Sequence, residues 1–330
     1  MLTRTGCVPQ VTAFAAIPNR LDAAACCALL AAVVAARARR RAHMVLIAGL
    51  AVAAIAAVAG ILDALLPHCT LYNVDSCIEP RARAVQEVWL GAHYDSKTEG
   101  LDHRQRAAAW AGATVLVGLA AAFGRARPRA GRWCGAAGFA VAAATAGAGR
   151  LARSPSHGII DNATGVALIT EIAADLHAQP LAHTRVRCVF WAAEELGAQG
   201  SRAFVRHAAV RPQAAVNLEG IGAGPGLGVP RWEWTGRSWA GPDAALRQQF
   251  QPDGAPAVVD LALPVVTDCG ALRRAGIPAL TLLGLGPGGQ APHGLHTSHD
   301  RRQAVDPAGL RNTREVLWKW LRNVDAVRGE

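Results

Sequence analysis

The amino-acid sequence predicts an α/β domain with alanine-rich membrane helices attached, and three observations carry that prediction. From residue 70 onward, short apolar runs of strand length alternate with stretches of helical periodicity. Several of these runs end on an acid or a histidine, where open α/β sheets usually place their ligands. Four alanine-rich apolar runs lie apart from that pattern, in two pairs, each pair joined by an arginine-rich turn.

The 330 residues suffice for one large α/β domain with accessories; hydrophobic residues make up 52% and aromatics only 5%. A formal charge of +10 suits a nucleic-acid partner in principle, but its placement argues otherwise. Arg37, Arg39, Arg40 and Arg41 form one cluster, and Arg125, Arg127, Arg129 and Arg132 another, both between apolar runs. These eight account for most of the excess, which therefore reads as membrane topology. No aromatic-interleaved basic stripe appears, so nucleic acid is excluded as a partner. The eight cysteines show neither CxxC nor zinc-finger spacing. Cys26, Cys27 and Cys134 lie in apolar runs and read as small hydrophobes, and Cys188 reads as buried within its strand. Cys69 and Cys77 flank a short polar stretch, and a bridge between them is open if that stretch lies outside the cytoplasm.

Residues 9–20, PQVTAFAAIPNR, are either a short helix or an extended lead-in. Residues 23–36 make an apolar run of about 21 Å as helix, short for a bilayer core of about 30 Å. That run either spans with Asp22 and Arg37 at the interfaces, or is a signal-like segment or a buried helix. Residues 44–62 are uncharged and about 28 Å long as helix, enough to cross. Residues 107–124 and 133–149 make the second pair, with Trp110 and Trp133 placed as interfacial anchors. The alternative is a buried helical hairpin of the globular domain; four arginines in the connection favour a cytoplasmic turn. With both arginine clusters cytoplasmic, residues 1–20, 63–106 and 150–330 all fall on the other side.

In the globular part, LYNVDSCI and VQEVWLGAH read as strands, the second ending at His93. Residues 163–177 place Val166, Ile169, Ile172, Ala173 and Leu176 at helical spacing. The run at 185–193 is a buried strand leading into Glu194 and Glu195, and a helix starts at Ser201. AAVNLEG is a strand ending at Glu219. Residues 222–258, rich in Gly, Pro and Trp, read as a loop-laden insertion near a site, carrying Trp232, Trp234 and Trp239. IPALTLLG is a late strand followed by a glycine-rich loop to His296. The last helix begins near Asp306-Pro307, with Leu310, Leu317, Trp320, Leu321 and Val324 inward.

Five strand ends or loops each offer a metal-type ligand: His93, Asp161, Glu195, Glu219 and His296. Two imidazoles and three carboxylates form a nitrogen/oxygen set suited to zinc. A carboxylate can bridge two ions about 3.5–4 Å apart, the arrangement that activates water. Glu194 and Glu195 point to opposite faces of an extended strand, so both reach one site only through a bend, which the Gly197 turn can provide. One acid then binds metal while the other accepts a proton from water.

The order of motifs resembles the zinc-dependent aminopeptidase family that includes the bacterial secreted leucyl aminopeptidases, glutamate carboxypeptidase and the plant and animal glutaminyl cyclases. The matching segments are GAHYDS at 91–96, DNATGVA at 161–167, EELGAQGS at 194–201, NLEG at 217–220, TDCGALRRAGIPAL at 267–280, and HT with Asp300 at 296–300. The resemblance implies a three-layer zinc-exopeptidase fold with a central mixed sheet flanked by helices. It also implies two zinc ions: His93 and Glu219 on one, Glu195 and His296 on the other, Asp161 bridging. By the same resemblance Glu194 is the general base, and Asp95 the carboxylate that holds the His93 imidazole. Where the family more often has aspartate, this chain has Glu219, as the membrane-bound branch does. Cys269 stands where the family has histidine beside Asp268, and both apolar runs of the second pair lie between His93 and Asp161. His157, His293 and His299 read as loop histidines, the last two rivals of His296.

The expected organisation is thus a lead-in at 1–20, two membrane helices within 21–66, the start of the catalytic domain at 67–106, an inserted membrane hairpin at 107–149, and the rest of the catalytic domain at 150–330. The apolar runs predict a membrane-bound, multi-pass protein, and the resemblance implies an exopeptidase of the aminopeptidase type. Its catalytic domain is extracytoplasmic, and its partners are a peptide or small-protein substrate and the bilayer. A glutaminyl cyclase or carboxypeptidase on the same scaffold, or a non-catalytic receptor-like scaffold, are the alternatives. The sequence sets no oligomeric state.

Overall fold

The computed structural model describes residues 8–38, 40–152, 154–250 and 256–326. Arg39, Arg153, the first seven and last four residues, and residues 251–255 of the Gly/Pro/Trp-rich segment lie outside the described residues. The strands are β1 (Gln10–Ala16), β2 (Cys69–Ile78), β3 (Gln86–His93), β4 (Thr184–Trp191), β5 (Ala214–Glu219), β6 (Gly226–Trp234), β7 (Trp239–Ala240), β8 (Val258–Val265) and β9 (Ala279–Leu285). The helices are α1 (Arg20–Arg37), α2 (Arg41–Val58), α3 (His103–Phe123), α4 (Pro128–Ala146), α5 (Thr164–Ala178), α6 (Gln199–His207), α7 (Ala244–Gln248), α8 (Asp268–Arg274) and α9 (Pro307–Ala326).

The strands form one mixed sheet in the order β1-β2-β4-β3-β5-β9-β6-β7, with β8 paired to β6. Its centre, β4, β3, β5 and β9, is parallel; β1, β2 and β6 join antiparallel. A parallel centre needs cover on both faces. In β3 alternate side chains divide accordingly: Val88, Leu90 and Ala92 pack with α5 and α9, while Trp89 packs with Phe204 of α6 and Leu272 of α8. This three-layer α/β architecture is the one expected. Gly91 is glycine because a Cβ there would stand 1.9 Å from the Trp191 ring.

The first four helices form a separate bundle. α1 and α4 are its central pair, with α2 packed on α1 and α3 on α4. The central pair is antiparallel: Arg132 Nη1 near the start of α4 donates to the carbonyl of Ala38 at the end of α1, at 2.5 Å, and Arg150 beyond α4 pairs with Asp22 at the start of α1, at 2.6 Å. Both arginine-rich turns therefore lie at the end of the bundle away from the sheet. The buried faces are built from small residues, Ala24, Ala28, Ala31 and Ala35 on α1, and Gly131, Gly135 and Gly138 on α4, where the glycines lie against α3. A Cβ on Gly131 would come within 2.5 Å of the Gly124 backbone, so the α3–α4 turn closes only with glycine. Large apolar side chains point outward: Leu29, Leu30, Val45, Val52, Ile55, Val115 and Phe123 are exposed. Two helical stretches, Arg41–Val58 and Gln105–Phe123, are long and apolar enough to cross a bilayer, with only 6% of each buried.

Three expectations are corrected or decided. Cys69 and Cys77 are free and sit near opposite ends of β2; eight residues of extended strand separate them by about 26 Å, several times the Cα reach of a disulfide. Within residues 9–20 the lead-in is extended, not helical: residues 10–16 are strand, because β1 finds a seven-residue antiparallel partner in β2. The segment at 222–258 is loop only in part: β6, β7 and α7 lie within it, and the two strands extend the sheet. Pro230, which argues against strand in sequence, sits beside a register shift in the β6–β8 pairing, where a missing N–H is tolerated.

Candidate metal centre

Because the central strands run parallel, their C-terminal ends share one edge, and the candidate ligands collect there. His93 is the last residue of β3 and Glu219 the last of β5. Glu194 and Glu195 follow β4, His296 lies in the loop after β9, and Asp161 lies in the irregular turn Ile159–Ala163 that leads into α5. The bend that carries the chain off β4 is at Ala193, with φ +57°, one residue before the two acids. Gly197, φ +88°, closes the turn behind them, its N–H donating to the Glu194 carbonyl at 2.7 Å.

All five expected ligands are buried. His93, Asp161 and Glu219 form one group whose donor atoms lie within 4.8 Å of one another; Asp161, Glu195 and His296 form a second. Asp161 divides itself between them. Its Oδ1 is 2.9 Å from His93 Nε2, and its Oδ2 is 2.9 Å from His296 Nε2. Glu219 Oε2 stands 3.3 Å from His93 Nε2, and Glu195 Oε1 3.0 Å from His296 Nε2.

A surrounding layer of hydrogen bonds fixes these groups. Asp300, buried, accepts the N–H groups of Ile160 and Asp161 at 2.6 and 3.2 Å, holding the Asp161 turn. Asn162 donates to the Leu218 carbonyl at 2.7 Å and to Glu219 at 3.2 Å. Asp95 acts in two ways. Its backbone carbonyl is 2.9 Å from His93 Nδ1, whereas its carboxylate, 3.6 Å from that atom, accepts the N–H groups of Glu194 and Glu195, each at 3.1 Å. One residue thus ties the end of β3 to the turn after β4.

The electrostatics of the cluster favour positive charge. Burial disfavours the His93 imidazolium, but Glu219, Asp161 and Asp95 outweigh it and pull its pKa well above the usual range. His296 is likewise pushed up to about 11, by Asp161, Glu195 and Glu99 against burial. Glu194 shows the opposite balance. Burial raises its pKa well above the carboxylate range, and although His93 opposes this, Glu219, Glu195 and Asp268 add to it. The residue as a whole is half-buried.

Three ionisable residues beside the cluster are not singled out by the sequence. Lys97 Nζ lies 3.1 Å from Glu195 Oε2 and 3.3 Å from Glu99 Oε1. Glu99 is buried, pairs with Arg106 of α3, and stands 3.7 Å from His296 Nδ1. Burial works against its charge, yet His296, Lys97 and Arg106 hold its pKa at about 2. Asp268, fully buried at the start of α8, is raised to about 8 by burial. The only sequence signal for Lys97 and Glu99 is their place directly after GAHYDS; Asp268 stands inside TDCG. His157, His293 and His299 sit in exposed loops, Trp232 and Trp239 are exposed at the far edge of the sheet, and Cys269 is a buried residue of α8.

Residues 73–321 match peptidase family M28. The chain belongs to that family. Among curated protein sequences none matches this family member. Solved structures do. A zinc aminopeptidase from Bacillus subtilis is 18% identical with a TM-score of 0.51, covering 78% of this chain and 52% of its own. An aminopeptidase from Aneurinibacillus sp. strain AM-1 is 15% identical with a TM-score of 0.50, covering 78% and 48%. A glutaminyl cyclase from Bacteroides thetaiotaomicron, bound to N-acetylhistamine, is 15% identical with a TM-score of 0.52, covering 93% and 99%. At such identities the likeness shows a shared fold. The peptidase-family chain spans about half the length of the aminopeptidases it resembles.

Proposed function

We propose that the chain is a membrane-anchored exopeptidase of the aminopeptidase type that works with two zinc ions and removes the N-terminal residue of peptides outside the cytoplasm. The observation that carries this reading is Asp161, whose two oxygens face two separate ligand groups at 2.9 Å each. A shared carboxylate between two nitrogen/oxygen sets is what a two-ion centre requires. The donor set fits zinc in its chemistry, and the carboxylates that raise the pKa of both imidazoles favour positive charge at the cluster. His93, Asp161 and Glu219 hold one ion in this reading; Asp161, Glu195 and His296 hold the other.

Zinc, when bound, supplies a Lewis acid for the scissile carbonyl and lowers the pKa of its bound water to about 7. The chain's own residues do the rest. Glu194, with its raised proton affinity, accepts a proton from the attacking water and delivers it to the leaving amine. Asp95 fixes the pair of acids by their N–H groups, so the base and the ligand beside it keep their separation. Asp300 does the same for the shared carboxylate.

Hydrolysis is favoured over glutaminyl cyclisation because cyclisation uses the substrate's own nitrogen and needs no activated water, whereas paired ligand groups are suited to activating one. A carboxypeptidase needs a cation free for the substrate carboxylate; Lys97 at the cluster is neutralised by Glu195 and Glu99. A non-catalytic scaffold is disfavoured by the complete set of five donors and the base.

The membrane reading draws on the bundle. Small residues face inward and large apolar ones outward, the reverse of a water-facing helix, and lipid favours such packing. Helices of 18 to 21 residues measure about 27–32 Å, near the bilayer core. The arginine turns at the end away from the sheet suit the cytoplasmic side. The test is hydrolysis of aminoacyl-nitroanilides, N-blocked peptides and N-terminal glutaminyl peptides by detergent-solubilised protein, with and without chelator. Chelator-sensitive cleavage of the free-amine substrates is expected. Cleavage of N-blocked substrates alone, cyclisation alone, or no zinc in the purified protein would each sink the reading.

A further inference from the structure

α2 packs on α1 and α3 packs on α4, which leaves a groove between α2 and α3 floored by the central pair. The groove encloses a cavity of about 540 Å³. Its floor is Gly131 and Gly135, and its walls carry Met44, Ile47, Val117 and Phe139. Four arginines stand at its mouth: Arg40 and Arg41 at the start of α2, Arg125 after α3, and Arg132 in the first turns of α4. No acid lines the cavity, and among the described residues no carboxylate pairs with any of the four. Arg132 gives one N–H to the Ala38 carbonyl, which neutralises no charge.

Two physical problems meet here. Cations gathered at one end of a bundle repel one another until a counter-anion joins them. An apolar groove of this size between helices forfeits its packing contacts unless hydrocarbon fills it. One amphipathic molecule solves both. We infer that the groove is a binding site for an anionic phospholipid, its phosphate held by Arg40, Arg41, Arg125 and Arg132 and one acyl chain laid between α2 and α3. The inference rests on the membrane reading above and extends it to a defined lipid site in the leaflet away from the catalytic domain. Basic pockets between membrane helices recognise anionic headgroups in this way.

The test is lipid retention by the full-length protein, read by native mass spectrometry after detergent extraction. Vesicles of phosphatidylglycerol form one arm, phosphatidylcholine a second, and phosphatidylglycerol with excess inorganic phosphate a third. The parent is expected to keep phosphatidylglycerol through delipidation, phosphate present or not, and to lose phosphatidylcholine. Arg40→Ser/Arg41→Ser/Arg125→Ser weakens retention about a hundredfold, each arginine near an anionic surface contributing about fivefold. Ala121→Phe keeps every charge but fills the groove from α3, and it displaces the lipid as well. Equal retention of the two lipids, or retention unmoved by either variant, overturns the inference and leaves the membrane reading intact. Displacement by inorganic phosphate with no effect of Ala121→Phe assigns the arginines to a free anion and overturns it too. Recovery of the parent in the soluble fraction without detergent overturns the membrane reading, and the lipid site with it.

Discussion

The sheet domain and the helical bundle bury opposite kinds of residue. Around the sheet the fully buried side chains are the largest available, Trp89, Trp191, Trp320, Phe250 and Ile169 among them. Inside the bundle they are alanine and glycine, and leucine, valine, isoleucine and phenylalanine face out. In water the first pattern gains free energy by removing apolar area from solvent, and the second would expose it. In lipid no such gain exists, and close approach of backbones through small residues takes over. The contrast is the one that the proposed membrane anchoring requires, and the candidate metal centre lies at the edge of the sheet domain, tied by Glu99 and Arg106 to the first turn of α3.

The largest effect that sharpens this contrast is confined to the sheet domain. Glu194→Gln should lower kcat about 10²–10⁴-fold, the usual contribution of a general base, while zinc content stays unchanged. Activity near the parental rate would remove Glu194 from the reaction. Next come two exposed valines, Val52 on α2 and Val259 on β8. Val52→Lys should cost about 3 kcal/mol of membrane insertion and shift protein out of the membrane fraction, as a lysine near a helix centre does. Val259→Lys should change stability by no more than about 0.5 kcal/mol. If the two behave alike, the bundle faces water and the contrast breaks.

A pair of glycines gives a smaller effect. Gly91→Ala drives a methyl into the Trp191 ring, so thermal unfolding should report a loss of about 1–3 kcal/mol. Gly49→Ala in α2 meets nothing within 4 Å and should gain up to about 1 kcal/mol of helix propensity. The smallest concerns Asp325 near the end of α9. Its carboxylate accepts the N–H groups of Ala182, His183 and Thr184, and despite partial burial they hold its pKa below the usual range. A lowered carboxylate pKa contributes stability above its ordinary value near 3.8, and that contribution disappears as pH falls through the folded value. Asp325→Asn should therefore cost about 1 kcal/mol at neutral pH, and the gap between variant and parent should close in acid.

Much of this was legible in the sequence where local signals and tertiary demands agree. Strands ending in His93 and Glu219 are apolar runs closed by a polar residue, and parallel pairing makes those ends converge. The apolar helices follow from hydropathy alone. What the sequence withholds depends on partners. The strand character of residues 10–16 comes from β2, not from their own pattern. Gly197 looks like the bend after β4, yet Ala193 makes it, because the Asp95 carboxylate captures the two amides that follow. Cys69 and Cys77 look like the ends of a loop only until β2 is seen to run straight between them. Lys97 and Glu99 are isolated charges in a loop, and only the fold brings them to Glu195 and His296.

The account stands or falls with the division of Asp161 between two ligand groups. Metal analysis of the purified full-length protein tests it most directly, in the parent and in Glu219→Ala, which removes a donor from one group and leaves the other complete. Two zinc ions per chain in the parent and one in the variant are the predicted result. A single zinc per chain that survives Glu219→Ala unchanged would contradict it.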